Sequence, residues 1–153
     1  MKTVDVSGLP RGLGSLEPVV KRAARAVLKD HKLEDYALSI TFVGDPEITR
    51  LNRTALGKRG ATDVIAFDLS EAGSPAGAVG DVYVSLDRAR AQSVEYAVGL
   101  KEELIRLVVH GVLHTIGYRD RTPAARRRME ARQERAVGRV FGKARRRGGR
   151  GRV

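Results

Sequence analysis

The stretch "LKEELIRLVVHGVLHTIG", residues 100 to 117, limits what this chain can become more than any other. Its apolar residues recur at helical spacing, with Leu104, Leu107, Val108 and Val112 on one side, and it reads as a helix from Leu100 to Ile116. It is the longest apolar helix in the sequence, so other elements must cover it. Its end runs into "HGVLHTIGYRD", which holds two of the three histidines in the chain, His110 and His114.

The elements available to cover it alternate between short β-like runs and longer helical ones. "MKTVDV" alternates as a strand does, and Ser15 to Asp30 places Val19, Val20, Ala23, Ala24, Val27 and Leu28 on one helical stripe. "LSITFVG", residues 38 to 44, is rich in β-branched and aromatic residues and ends at Gly44, which predicts a strand. Asp45 and Pro46 then start a helix to about Leu56, with the carboxylate able to cap free amides and the proline at the first helical position. "TDVIAFDL" and "GDVYVSL" read as strands separated by the loop "SEAGSPAGAVG". A helix over Asp87 to Ala97 precedes the long apolar one. Thr122 with Pro123 starts a last helix whose exposed face is nearly all arginine and glutamate.

Strands followed by helices point to an α+β fold: one domain in which a small mixed four-stranded sheet packs against helices. The 153 residues suit a single core. We read residues 1–141 as that domain and 142–153 as an arginine- and glycine-rich disordered tail.

Lys plus Arg outnumber Asp plus Glu by 29 to 18, a formal charge of +11. A field of that sign favours a polyanionic partner, nucleic acid first, although a merely soluble basic protein is also compatible with it. Six of the cations, Lys143, Arg145, Arg146, Arg147, Arg150 and Arg152, fall in the last eleven residues without an acid among them. There are no cysteines, which excludes disulfides and thiolate metal sites. No apolar run approaches the roughly 20 residues of a membrane span. The N-terminus lacks the pattern of a secretory signal, so the expected compartment is the cytoplasm.

Histidines at i and i+4 lie on one helix face and can grip one ion. Gly117 falls where a helix needs a left-handed residue to stop, and the returning chain can carry Asp120 to the same ion. Three protein ligands leave a position open, as catalytic zinc sites do, and water bound there would have its pKa lowered toward about 7. The bland alternative is a pair of hydrogen-bonded helix residues followed by an ordinary cap.

The spacing is also that of the metzincin peptidases, but those place Glu directly after the first His as general base. Here that place is Gly111, which can transfer no proton, so the peptidase reading lacks its base.

These residues resemble the YbeY family, bacterial metal-dependent endoribonucleases of ribosomal RNA maturation. The family pattern looks like H-G-x-L-H-x-x-G-Y-D-H, and this chain matches at His110, Gly111, Leu113, His114, Gly117 and Tyr118. Upstream, "LNRTALGKRGATDVIAFDL" is similar to the family at Leu51, Asn52, Gly57, Lys58, Thr62, Asp63, Val64 and Phe67. "GDVYVSL" fits through Gly80 and Asp81, and "AQSVEYAVGLKEELIRLVVHG" through Gln92, Glu95, Tyr96, Glu103 and Leu104 among others. The resemblance covers about residues 38 to 135. It implies a zincin-like site on a helix, with His110, His114 and Asp120 holding one zinc or another divalent ion. It also implies cleavage of single-stranded RNA, near an end of ribosomal RNA, in company with the ribosome or its small subunit.

The chain departs from the pattern twice. Asp120 stands where the family usually has a third histidine, preceded by Arg119 in place of an acid; carboxylate oxygen binds zinc at a length close to that of imidazole nitrogen. Leu56 stands where most members have an arginine that serves cleavage. Arg53, Lys58 or Arg59 can reach the same phosphate from nearby positions, and Lys58 and Arg59 are the two we expect to meet it, a solvated loop being the bland reading for both. If they do not, a non-catalytic ribosome-assembly factor that binds rRNA and keeps a structural metal becomes the alternative, with a metzincin-like peptidase behind it. Tyr96 and Tyr118 read as packing residues, His31 as an exposed residue with no role, and Asp63 and Asp81 as supports near strand ends.

Overall fold

The structure, a computed structural model, describes residues 2–70 and 77–142. The basic tail beyond Gly142 and residues 71–76 of the expected loop lie outside the described residues. In chain order the elements are β1 (Lys2–Ser7), α1 (Glu17–Asp30), β2 (Asp35–Val43), α2 (Asp45–Leu56), β3 (Val64–Asp68), β4 (Gly77–Ser85), α3 (Leu86–Glu95), α4 (Leu100–Thr115) and α5 (Pro123–Phe141).

The strands form one mixed sheet in the order β1-β2-β4-β3. β1 and β4 flank β2 in parallel, and β3 joins β4 antiparallel, with Val4 opposite Leu38, Ile40 opposite Val82 and Val64 opposite Val84. The mixed four-stranded sheet inferred from the sequence is therefore present, with five helices around it. Alternation along β2 sends Leu38, Ile40 and Phe42 into the main core with α1 and α4. Val43, on the opposite face, forms a smaller cluster with Ile48 of α2 and Ile65 of β3.

Some boundaries differ from the sequence reading. The segment 77–79 read as loop, but it extends β4 and pairs with Asp35–Ala37, which likewise lengthens β2 at its start. Gly77 and Ala78 have little strand preference of their own; Ala78 is nonetheless buried there, and the pairing partner decides. Ser15 sits in a tight 3₁₀ turn and α1 proper starts at Glu17, with Pro18 in its first turn. Likewise α3 starts earlier, at Leu86, because the Ser85 hydroxyl accepts from the Arg88 amide, and it ends at Glu95.

The larger difference concerns α4. Its sequence suggested one buried side, whereas every residue from Glu103 to Leu113 is buried. Sheet, α1, α3 and α5 enclose it. Seven of these side chains, Leu104, Ile105, Leu107, Val108, Val109, Val112 and Leu113, have no exposed surface. Each such burial is worth roughly 1.5–3 kcal/mol relative to exposure, so this helix anchors the domain. A closer approach to the sheet is set at Gly111, where a Cβ would collide with Val82 and press on Val64. Position 111 is thus turned to the sheet, which explains in packing terms why it carries no acid.

Candidate metal centre

α4 ends as its sequence predicts. Gly117 adopts φ 109°, the Tyr118 amide donates to Leu113 O at 3.1 Å and the Gly117 amide to His114 O at 3.2 Å. This pair of bonds is a Schellman stop, and only glycine adopts the required conformation without strain. The chain then turns back through Asp120 to Thr122, whose hydroxyl caps α5 by accepting from the Ala125 amide.

That turn brings three donors together. One ligand atom each from His110, His114 and Asp120 lie within 4.8 Å of one another. The two Nε2 atoms are 3.1 Å apart, and His114 Nε2 stands 3.8 Å from Asp120 Oδ2. His110 is nearly buried, and the other two are partly exposed.

The Nδ1 atoms define the chemistry. His114 Nδ1 is 2.9 Å from the Tyr118 carbonyl oxygen, which can only accept, so the ring proton resides on Nδ1. His110 Nδ1 is 2.8 Å from Gln133 Oε1, while Gln133 Nε2 donates to the Glu134 carboxylate at 3.1 Å. A carboxylate cannot donate, so the amide orientation is determined, and with it the proton on His110 Nδ1. With both rings neutral, as ligation requires, their Nε2 lone pairs face each other and a carboxylate. Such a trio is repulsive by itself and becomes attractive around a cation, so the donor set fits a divalent metal.

Behind these partners lies a network of charge. Glu134 receives Arg106 Nε and Nη2 at 2.9 Å each, and Arg106 Nη1 also reaches Glu102 at 3.0 Å and Glu103 at 3.4 Å. Burial opposes the Arg106 charge, but the hydrogen bond and charge of Glu134, then those of Glu102, outweigh it and push the guanidinium pKa above its already high value. Arg106 is thus charged at any pH at which the protein folds.

The third histidine corrects the expectation of an exposed residue without a role. His31 is half-buried, with Nδ1 2.8 Å from Val27 O and Nε2 2.7 Å from the Tyr118 hydroxyl. Its ring also stands edge-on to Tyr118, with centroids 5.3 Å apart. Tyr118 is a packing residue, as its sequence context suggested, and its carbonyl orients His114 as well. Arg119, in the position before Asp120, turns to the end of α4 and donates to the carbonyls of His114 and Tyr118.

Beside the donor group is a pocket lined by His110, Asp120, Arg126, Met129, Glu130 and Gln133. Lys58 and Arg59 are not in its lining; both are exposed between α2 and β3. That loop runs into β3, whose Val64 packs near Gly111. Leu56 closes α2 and is 44% exposed. Asp63 is buried and its carboxylate accepts from the Gln92 side chain of α3 at 3.1 Å; it belongs to neither the donor group nor the pocket lining. Asp81 belongs to neither the donor group nor the pocket.

Sequence reasoning missed Gln133, Arg126, Glu130 and the Arg106 network. One signal was available: Gln133 is the polar residue in the otherwise apolar buried stripe Met129, Gln133, Ala136 and Val137.

Comparison with known proteins finds relatives over most of the chain. A family profile described as "Endoribonuclease YbeY" matches residues 13–140. A protein of that name from Anaeromyxobacter sp. is 45% identical over 135 residues, covering 87% of this chain and 68% of its own length. One from Myxococcus xanthus is 40% identical over 75% of this chain, which spans only 40% of that relative. One from Desulfitobacterium hafniense is 37% identical, with 81% and 84% covered. Among solved structures, the solution structure of TM1509 from Thermotoga maritima superposes with a TM-score of 0.65 at 26% identity, covering 92% of this chain and 90% of that one.

Proposed function

The chain belongs to the family described as Endoribonuclease YbeY, and from that membership we propose that it is a metal-dependent endoribonuclease that cuts single-stranded RNA during ribosomal RNA processing. The observation that carries this reading is the convergence of His110 Nε2 and His114 Nε2, 3.1 Å apart, with Asp120 at the mouth of a pocket. We take zinc as the ion, because two imidazoles and a carboxylate are a common zinc set with a position left open. Such an ion supplies Lewis acidity toward a phosphoryl oxygen and makes water more acidic.

The protein groups do the rest. Gln133 and the Tyr118 carbonyl hold the two rings with their Nε2 atoms inward. Glu130, the pocket carboxylate outside the donor trio, is the group that would take a proton from water as it adds to phosphorus and return that proton to the ribose oxygen whose bond to phosphorus breaks. Lys58 and Arg59 hold the RNA strand on its approach from the exposed loop, and the basic tail of residues 142–153, appended to a catalytic domain of residues 1–141, adds affinity for any phosphate backbone. The ribosome or its small subunit is the partner, and the cytoplasm the compartment. Among the described residues no helix is long and apolar enough to cross a membrane.

A second reading has one observation in its favour: Leu56 offers no cation, and Lys58 and Arg59 do not line the pocket. On that reading the chain is an rRNA-binding assembly factor with a structural metal. One assay separates the two. Zinc-loaded protein should cut a single-stranded RNA, lose the activity on chelation and regain it on adding zinc back; RNA retained uncut in all three conditions would leave the assembly factor.

A further inference from the structure

Several arginines of this basic chain have their charge answered by other groups. Arg106 is clamped by three glutamates, Arg139 pairs with Asp30, Arg90 with Asp87, and Arg119 caps α4. Arg126 is different. Arg126, exposed like its neighbour Arg127, lines the pocket with His110 and Asp120, has no ion pair among the described residues, and makes one long side-chain contact, 3.5 Å from Nη2 to the Asp120 carbonyl oxygen. Its position is held by the helix. Arg126, Glu130 and Gln133 fall at i, i+4 and i+7 on one face of α5, and the Gln133 bond to His110 turns that face toward the donor group.

Charge gives this placement a purpose. Asp120 and Glu130 also line the pocket, and their two carboxylates would offset the charge of a divalent ion and leave the pocket without net positive charge toward a phosphodiester. Arg126 restores one positive charge, and its fork of donors matches two phosphate oxygens. Resting on the nuclease reading above, we propose that Arg126 grips the scissile phosphate of the RNA at the metal centre.

The test compares zinc-loaded full-length protein with Arg126→Gln, Arg126→Lys and the control Arg127→Gln, an exposed arginine of the same helical turn outside the pocket. Two quantities are read: kcat and KM on a single-stranded RNA oligonucleotide, and binding of inorganic phosphate by calorimetry. Arg126→Gln should keep its zinc, lower kcat/KM by about 10–100-fold with most of the loss in kcat, and lose phosphate binding. Arg126→Lys should recover part of both. Arg127→Gln should change KM by no more than about threefold, as a remote phosphate contact would. Arg126→Gln matching the Arg127→Gln control, or no phosphate binding by the parent protein, overturns the proposal. If the parent binds phosphate through Arg126 and cuts no RNA, the nuclease reading fails while the anion site stands.

Discussion

α4 carries a polar cluster in each half, and the two are built on opposite principles. In the first half Arg106, with no exposed surface, meets the equally buried Glu103 and the partly exposed Glu102 of its own helix and Glu134 of α5, so a buried cation is answered by carboxylates that reach toward the surface. In the second half His110 and His114 direct lone pairs at each other and at Asp120, groups of like polarity brought close. The first cluster holds its own cation in Arg106; the second is a donor set that a cation would complete. Gln133 and Glu134 are adjacent residues that connect them, since Glu134 binds Arg106 and Gln133 while Gln133 holds His110. The ion-pair cluster thus lies behind the donor group and orients Gln133 toward His110.

The sharpest way to break this contrast is Arg106→Met. It leaves the fully buried Glu103 and the Glu134 carboxylate without their cation, and the expected loss is about 3–5 kcal/mol in urea unfolding. A loss under about 1 kcal/mol would mean that the first half does not depend on its charges. Next in size is His114→Ala, which should behave in the reverse manner. Without metal its stability should change by no more than about 1.5 kcal/mol, the net worth of the bond to Tyr118 O. Its zinc affinity should fall by more than the roughly 100-fold that losing an outer partner costs. Full retention of zinc, measured by elemental analysis, would end the case for the centre. Smallest is Gln133→Ala, which cuts the link: zinc affinity should drop about 10–100-fold by competition titration, and an unchanged affinity would show that His110 needs no partner on Nδ1.

The donor trio was legible because its geometry is local. A four-residue step places His110 and His114 on one face whatever surrounds the helix, and Gly117 stops that helix at a defined point. The second sphere was not legible. Gln133 lies 23 residues from His110, and Glu134 is 28 from Arg106. His31 is 87 residues from Tyr118 and had no periodic pattern to mark it, so it read as an exposed residue. The strand at 77–79 was missed for a related reason, since it is specified by a partner strand and not by its own composition.

The sequence by itself determined the helices and strands, the α+β order, the ligand pair and the turn that returns Asp120, all of which follow from backbone periods and stop signals over a few residues. Only the tertiary structure decided that α4 would be buried on every side, that α5 would turn Arg126, Glu130 and Gln133 toward the histidines, and that both rings would hold their protons on Nδ1. The reason is physical: a helical period says which residues share a face, but the neighbour that face meets depends on how separate elements dock, and the proton goes where that neighbour supplies an acceptor.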